Sequence, residues 1–206
     1  MTLPRQIDGP AGPLEVLFNM PDGQPVRAAA VIGHPHPLHG GTMHTKVVFR
    51  TARALASIGC AVLRFNFRGV GRSAGAFAEG EGEREDFKAA LDFMAARHPD
   101  VPLWAGGMSF GSYVALTAGA EDARVQRLLG IAPPVDRYDF SPLRRSRSAK
   151  FIIHGEHDEI CPLASVAALY EELTEPKRLI VIPGANHLFT GCEAQVGEAV
   201  ISLFED

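Results

Sequence analysis

The chain has 206 residues, 46% of them apolar and 21% charged, with a net charge of −4. That length suits one domain over residues 1–206, large enough to bury about 70% of its unfolded surface without staples. The acidic balance argues against a nucleic-acid partner, the only basic cluster (residues 144–147) reads as a solvated loop, and no apolar run approaches the roughly 20 residues of a membrane span.

In chain order, residues 14–18 read as a strand closed by the turn signal Pro21-Asp22-Gly23. Residues 28–33 are a second strand, ending in the loop His34-Pro35-His36-Pro37-Leu38-His39-Gly40-Gly41. A helix is predicted over 44–58, stopped by Gly59, and then a strand over 61–67 that runs into Arg68-Gly69-Val70-Gly71-Arg72-Ser73. A glycine- and glutamate-rich stretch at 79–83 leads into a helix ending near Arg97, its early acids suited to the positive end of the helix dipole. The run 101–106 is the next strand and the small-residue run 112–120 the next helix. Strands at 128–132, 150–154 and 178–182 follow, with helices at 165–173 and 193–204. This alternation predicts an α/β protein, a three-layer sandwich around a mostly parallel sheet of about eight strands. Residues 134–149 are too few for an independent cap domain.

The motif with the most chemistry in it is Gly107-Met108-Ser109-Phe110-Gly111, placed where a buried strand passes into a helix. G-x-S-x-G in that context is a nucleophile elbow, which holds its serine in a strained positive-φ turn. A serine hydroxyl needs a base of near-neutral pKa, and an imidazole needs a carboxylate to hold its tautomer. Both are expected downstream at strand ends, in the order serine, acid, histidine. Residues 151–153 run into His154-Gly155-Glu156-His157-Asp158, and residues 179–182 into Pro183-Gly184-Ala185-Asn186-His187. Asp158 and His187 are therefore the candidate partners of Ser109, with Glu156 a rival acid and His154 and His157 read as packing or hydrogen-bonding residues.

Other patterns weigh less. His34, His36, His39 and His44 include zinc-like His-x-His spacing, but prolines stiffen the loop and no local cysteine or carboxylate joins it, so no metal is expected. Gly69-Val70-Gly71 resembles a dinucleotide fingerprint, yet no helix opens there, so no cofactor is expected. Arg68 and Arg72 could face an acidic substrate, or Arg68 could pin its loop. Three cysteines without paired spacing point to free thiols in a reducing cytoplasm, and Cys161 and Cys192 read as small buried residues near the site.

These pieces together resemble the α/β-hydrolase superfamily, and within it the small lid-less bacterial serine hydrolases related to dienelactone hydrolase. The resemblance implies Ser109 as nucleophile, Asp158 as acid and His187 as base. It implies an oxyanion hole built from the backbone N–H of Phe110 and a second donor from the loop after Gly33. Pro35 and Pro37 have no N–H, which leaves His36 or Leu38, and the family's His-Gly-x pattern favours His36. The implied activity is hydrolysis of small esters by a cytoplasmic monomer or homodimer that binds neither nucleic acid nor membrane. Acyl transfer to another acceptor, perhydrolysis and non-catalytic ligand binding are the alternatives on this fold.

Overall fold

The computed structural model describes residues 3–205, and among them eight strands form one sheet in the order β1-β2-β4-β3-β5-β6-β7-β8. The strands are β1 (Gln6–Ile7), β2 (Leu14–Asn19), β3 (Ala28–Gly33), β4 (Cys60–Phe65), β5 (Leu103–Met108), β6 (Val125–Ile131), β7 (Ala149–Gly155) and β8 (Lys177–Ile182). β1 pairs antiparallel with β2, and β2 antiparallel with β4; every other neighbouring pair is parallel. Strands β3, β4 and β5 are buried at every position, which fits their near-continuous apolar or small residues: a parallel strand covered on both faces has no polar side to show.

Among the described residues six α-helices cover the two faces: α1 (Lys46–Ser57), α2 (Glu81–Arg97), α3 (Phe110–Ala120), α4 (Ser141–Arg145), α5 (Leu163–Glu172) and α6 (Glu193–Phe204). α1 and α6 close one core, with Val47, Leu55, Val196 and Leu203 over Ala30, Ile32 and Ile153. The opposite core joins Phe87 and Leu91 of α2, Val114 of α3, Leu143 of α4 and Val166 of α5 to Val31, Leu63 and Ile152. This is the expected three-layer sandwich, with no cap domain among the described residues. None of the described helices is long and apolar enough to cross a membrane.

Several element limits differ from the sequence reading. β1 is two residues long and paired only at the sheet edge, too short to leave a pattern. Residues 141–145 form α4 rather than loop, opened by Pro142 in its first turn, where a missing N–H costs nothing. α3 begins at Phe110 and not at Ser112, because Gly111, which disfavours a helix in isolation, is demanded here by its close approach to Gly33 and His34. The chain order reverses about β3, with β4 on one side and β5 on the other. At such a switch point, loops leaving the carboxyl ends of the strands part and leave a crevice.

Candidate active site

Ser109 stands at that crevice, between the end of β5 and the start of α3, with φ 52° and ψ −122°. Few non-glycine residues tolerate this backbone, and the neighbours make it possible. A side chain at Gly107 would be driven into the carbonyl of Gly111, and one at Gly111 into the backbone of Gly33 and His34. The two glycines therefore let α3 start directly against β5 and β3. The Ser109 N–H donates to the Ile131 carbonyl at 2.8 Å, which ties the turn to the end of β6.

Asp158 and His187 arrive on the loops after β7 and β8. Those loops are laced together: His157 N–H donates to the Ala185 carbonyl at 2.9 Å, Gly184 N–H to Glu156 Oε2 at 2.8 Å, and His187 N–H to Glu159 Oε2 at 3.2 Å. His187 Nδ1 lies 2.8 Å from Asp158 Oδ2, and His187 Nε2 lies 2.9 Å from Ser109 Oγ. A carboxylate only accepts, so Nδ1 carries the proton and Nε2 is left to accept from the serine hydroxyl. The Asp158 Oδ1 atom accepts from the N–H groups of Ile160 and Cys161 at 2.8 and 2.9 Å. Burial alone pushes the Asp158 carboxyl up, but His187 and these two N–H groups outweigh it and hold the group below the usual carboxylate range. Glu156, the rival acid, is exposed and bonded to Gly184 instead.

The two possible second oxyanion donors are in different states. The Leu38 N–H donates to His36 Nδ1 at 3.2 Å, whereas the His36 N–H has no acceptor among the described residues. Phe110, as the first residue of α3, has no carbonyl one turn earlier in its helix to receive its N–H. The His36 ring packs on Phe110 and Phe77, at 5.0 and 4.9 Å between centroids, and stacks on His39 at 4.5 Å. Burial first, then the nearby His39 and Arg137, lowers its pKa.

These groups face a cavity of about 440 Å³ lined by Ser109, His187, Pro35, His36, His39, Phe110, Pro134, Arg137, Tyr138, Glu159, Ile160 and Leu188. Leu38, Ile160 and Leu188, three of the most exposed large apolar side chains among the described residues, come from the loops that frame it. Glu159 and Ile160 were not singled out from the sequence; they belong to a loop whose path depends on contacts far along the chain.

The remaining sequence candidates do not line this cavity. His34 is fully buried, its Nε2 accepting from Phe67 N–H at 3.1 Å and its Nδ1–H donating to the Pro35 carbonyl at 2.7 Å. His44 lines a separate surface cleft with Glu15 and Arg72, so the four histidines do not converge, and no three described His, Cys, Asp or Glu side chains are grouped to hold a metal ion. Arg68 is the loop pin: its guanidinium and backbone N–H grip Asp86 at 2.7 to 3.1 Å. Cys161 is buried, with its backbone N–H on Asp158, while Cys192 is half-buried at the start of α6.

Comparison with known proteins agrees with this architecture. A family model described as serine aminopeptidase, S33, matches residues 31–149, more than half of the chain. The chain belongs to this α/β hydrolase family. An uncharacterized protein of Rickettsia prowazekii is 35% identical over 194 residues, covering 85% of this chain and 82% of its own. An α/β serine hydrolase homologue from Coxiella burnetii superposes on this hydrolase with a TM-score of 0.92 at 38% identity, covering 97% of this chain and 95% of the other. A lid-less α/β serine hydrolase of Xanthomonas campestris gives 0.87 at 38% identity, covering 95% and 89%.

Proposed function

We propose that this hydrolase cleaves small carboxylic esters through an acyl-enzyme on Ser109. His187 Nε2 takes the hydroxyl proton as Ser109 Oγ bonds to the carbonyl carbon, and the carbonyl electron pair moves onto oxygen. Asp158 keeps His187 in the receptive tautomer and stabilises the imidazolium that forms. The N–H groups of Phe110 and His36 receive the oxyanion. Collapse of the tetrahedral adduct expels the alcohol, which leaves with the proton held by His187. Water then repeats the sequence on the acyl-enzyme, with His187 again as base, and releases the acid.

The observation that carries this reading is the unbroken relay Ser109 Oγ, His187 Nε2, His187 Nδ1, Asp158 Oδ2, with both gaps under 3 Å and the serine end opening on a cavity. Small esters are favoured because that cavity has room for a modest acyl or alkoxy group and an apolar rim for its hydrocarbon part, with no cap to enclose a larger one. The test is a panel of p-nitrophenyl and alkyl esters with wild type and Ser109→Ala, together with fluorophosphonate labelling. Wild type is expected to turn over short esters and to take the label at Ser109. Ser109→Ala should lose about 10⁴-fold or more in kcat. A Ser109→Ala protein that kept full activity, or a folded wild type inert to the label, would overturn the proposal.

A further inference from the structure

Asp158 has a second histidine neighbour that the mechanism above does not use. His154, the next-to-last residue of β7, is fully buried, and its Nε2 lies 2.9 Å from the Cys161 carbonyl and 3.5 Å from Asp158 Oδ2. Its Nδ1 is buried with no hydrogen-bond partner among the described residues. A carbonyl can only accept, so Nε2 carries the proton and Nδ1 is a bare lone pair in the interior.

An orphaned buried acceptor works against stability, so this imidazole is poorly explained as core filling. Its donor is more telling. Cys161 is held at both ends of its peptide units: its N–H by Asp158 Oδ1 at 2.9 Å and its carbonyl by His154 Nε2–H. His154, Cys161 and Asp158 thus form a closed ring of contacts, and the Asp158 oxygen nearest His154 is the one that faces His187. The ring fixes the turn 158–161, and with it the direction in which Oδ2 points.

We propose that His154 is a positioning residue for the Asp158–His187 pair, acting through the Cys161 carbonyl as a neutral Nε2–H donor. A proton on Nδ1 would set a cation beside Asp158 in competition with His187. Burial opposes that by lowering the His154 pKa. The proposal rests on the hydrolase reading above and goes beyond it.

Two substitutions separate position from packing. His154→Leu fills the space without a donor, while His154→Gln restores an N–H at nearly the reach of Nε2. With a p-nitrophenyl ester, His154→Leu is expected to lose about 10- to 100-fold in kcat, the scale of other supporting-partner losses, with KM within about twofold of wild type. His154→Gln should recover most of that loss, and fluorophosphonate labelling of Ser109 should follow the same order. The proposal is overturned if His154→Leu matches wild type, or if both variants fall equally and in step with Tm. Nitrogen-15 spectra of histidine in the wild-type protein give a test that needs no variant to fold: a neutral His154 protonated on Nε2 is expected, and an Nδ1–H tautomer or an imidazolium at neutral pH would overturn it. Activity that survives Ser109→Ala would instead strike the hydrolase reading beneath the proposal.

Discussion

Two corners of one sheet edge each bury a histidine and an aspartate, and they put them to opposite uses. After β3 and β4, His34 has both ring nitrogens bonded to backbone, and Asp86 has both oxygens wrapped by Arg68. After β7 and β8, Asp158 Oδ1 is likewise bonded to backbone, but Oδ2 faces His187, whose second nitrogen ends on the Ser109 hydroxyl at the cavity. Burial and bond lengths are much alike in the two corners. The difference is whether the chain of donors closes on itself or finishes at a group that can reach a ligand. A permanent guanidinium partner makes a brace; an ionisable imidazole makes a relay.

Amidation of each aspartate breaks the comparison with the largest effect. In Asp158→Asn the Ile160 and Cys161 N–H groups retain the amide oxygen, which turns the amide nitrogen toward His187. The nitrogen then donates to Nδ1 and drives the proton to Nε2, where it blocks the serine. Loss of kcat should be about 10³- to 10⁴-fold with little change in urea midpoint. In Asp86→Asn the amide nitrogen is forced against the half-buried Arg68 guanidinium, which loses its main partner. Urea unfolding should show a loss of about 2 kcal/mol, while kcat of the folded fraction stays close to wild type. If both variants lost stability and neither lost kcat selectively, the two corners would not differ as described.

A smaller effect sharpens the boundary between the corners, which falls at His36. Its φ of −52° lies in the range that a proline ring imposes, so His36→Pro deletes the N–H and keeps that dihedral. His36→Ala loses the same ring contacts but keeps the N–H. The proline variant is expected to fall about 10²- to 10³-fold in kcat below the alanine variant, the usual effect of losing one oxyanion donor. Equal rates in the two would reassign the donor to Leu38, whose N–H both substitutions release from His36 Nδ1.

How much of this could be read from the sequence follows from where each constraint originates. The elbow was legible because Gly107 and Gly111 are demanded by backbone contacts within one strand–turn–helix unit. The order of Ser109, Asp158 and His187 was legible because each follows a short apolar strand. The cavity wall was not: Arg137, Glu159 and Ile160 reach it from loops set by contacts such as the stacking of Tyr138 on Tyr113 at 4.4 Å. His34 shared a suggestive motif with His36, and only the pairing of β3 beside β4 reveals that its partner is the Phe67 N–H. The Arg68–Asp86 pair was half legible, since a pin was an option for Arg68 but nothing in the sequence named the acid.

His34 gives the comparison its pH dependence. Burial lowers its pKa from 6.5 to about 4, against the opposing effect of its bond to the Pro35 carbonyl. Above pH 6.5 both the folded and the unfolded chain hold this imidazole neutral, so its contribution does not vary. Below that, the unfolded chain takes a proton that the folded chain refuses, because a proton on Nε2 would displace the Phe67 N–H. The unfolded state then binds more protons, so stability falls as pH drops from 6.5 toward about 4, by up to about 3 kcal/mol. His36, His98 and His154 are also lowered by burial and add slopes of the same sign, while the lowered carboxylates Asp158, Asp122 and Glu15 act mainly below this window. The deciding quantity is therefore the difference between wild type and His34→Gln, in which the amide oxygen can still accept from Phe67 and nothing titrates. Urea unfolding at pH 7, 5.5 and 4.5 should give a visibly flatter curve for the variant, whatever its absolute stability. Parallel curves would mean that His34 takes its proton in the folded state as readily as in the unfolded one, and that its corner is no more closed than the one that holds Ser109.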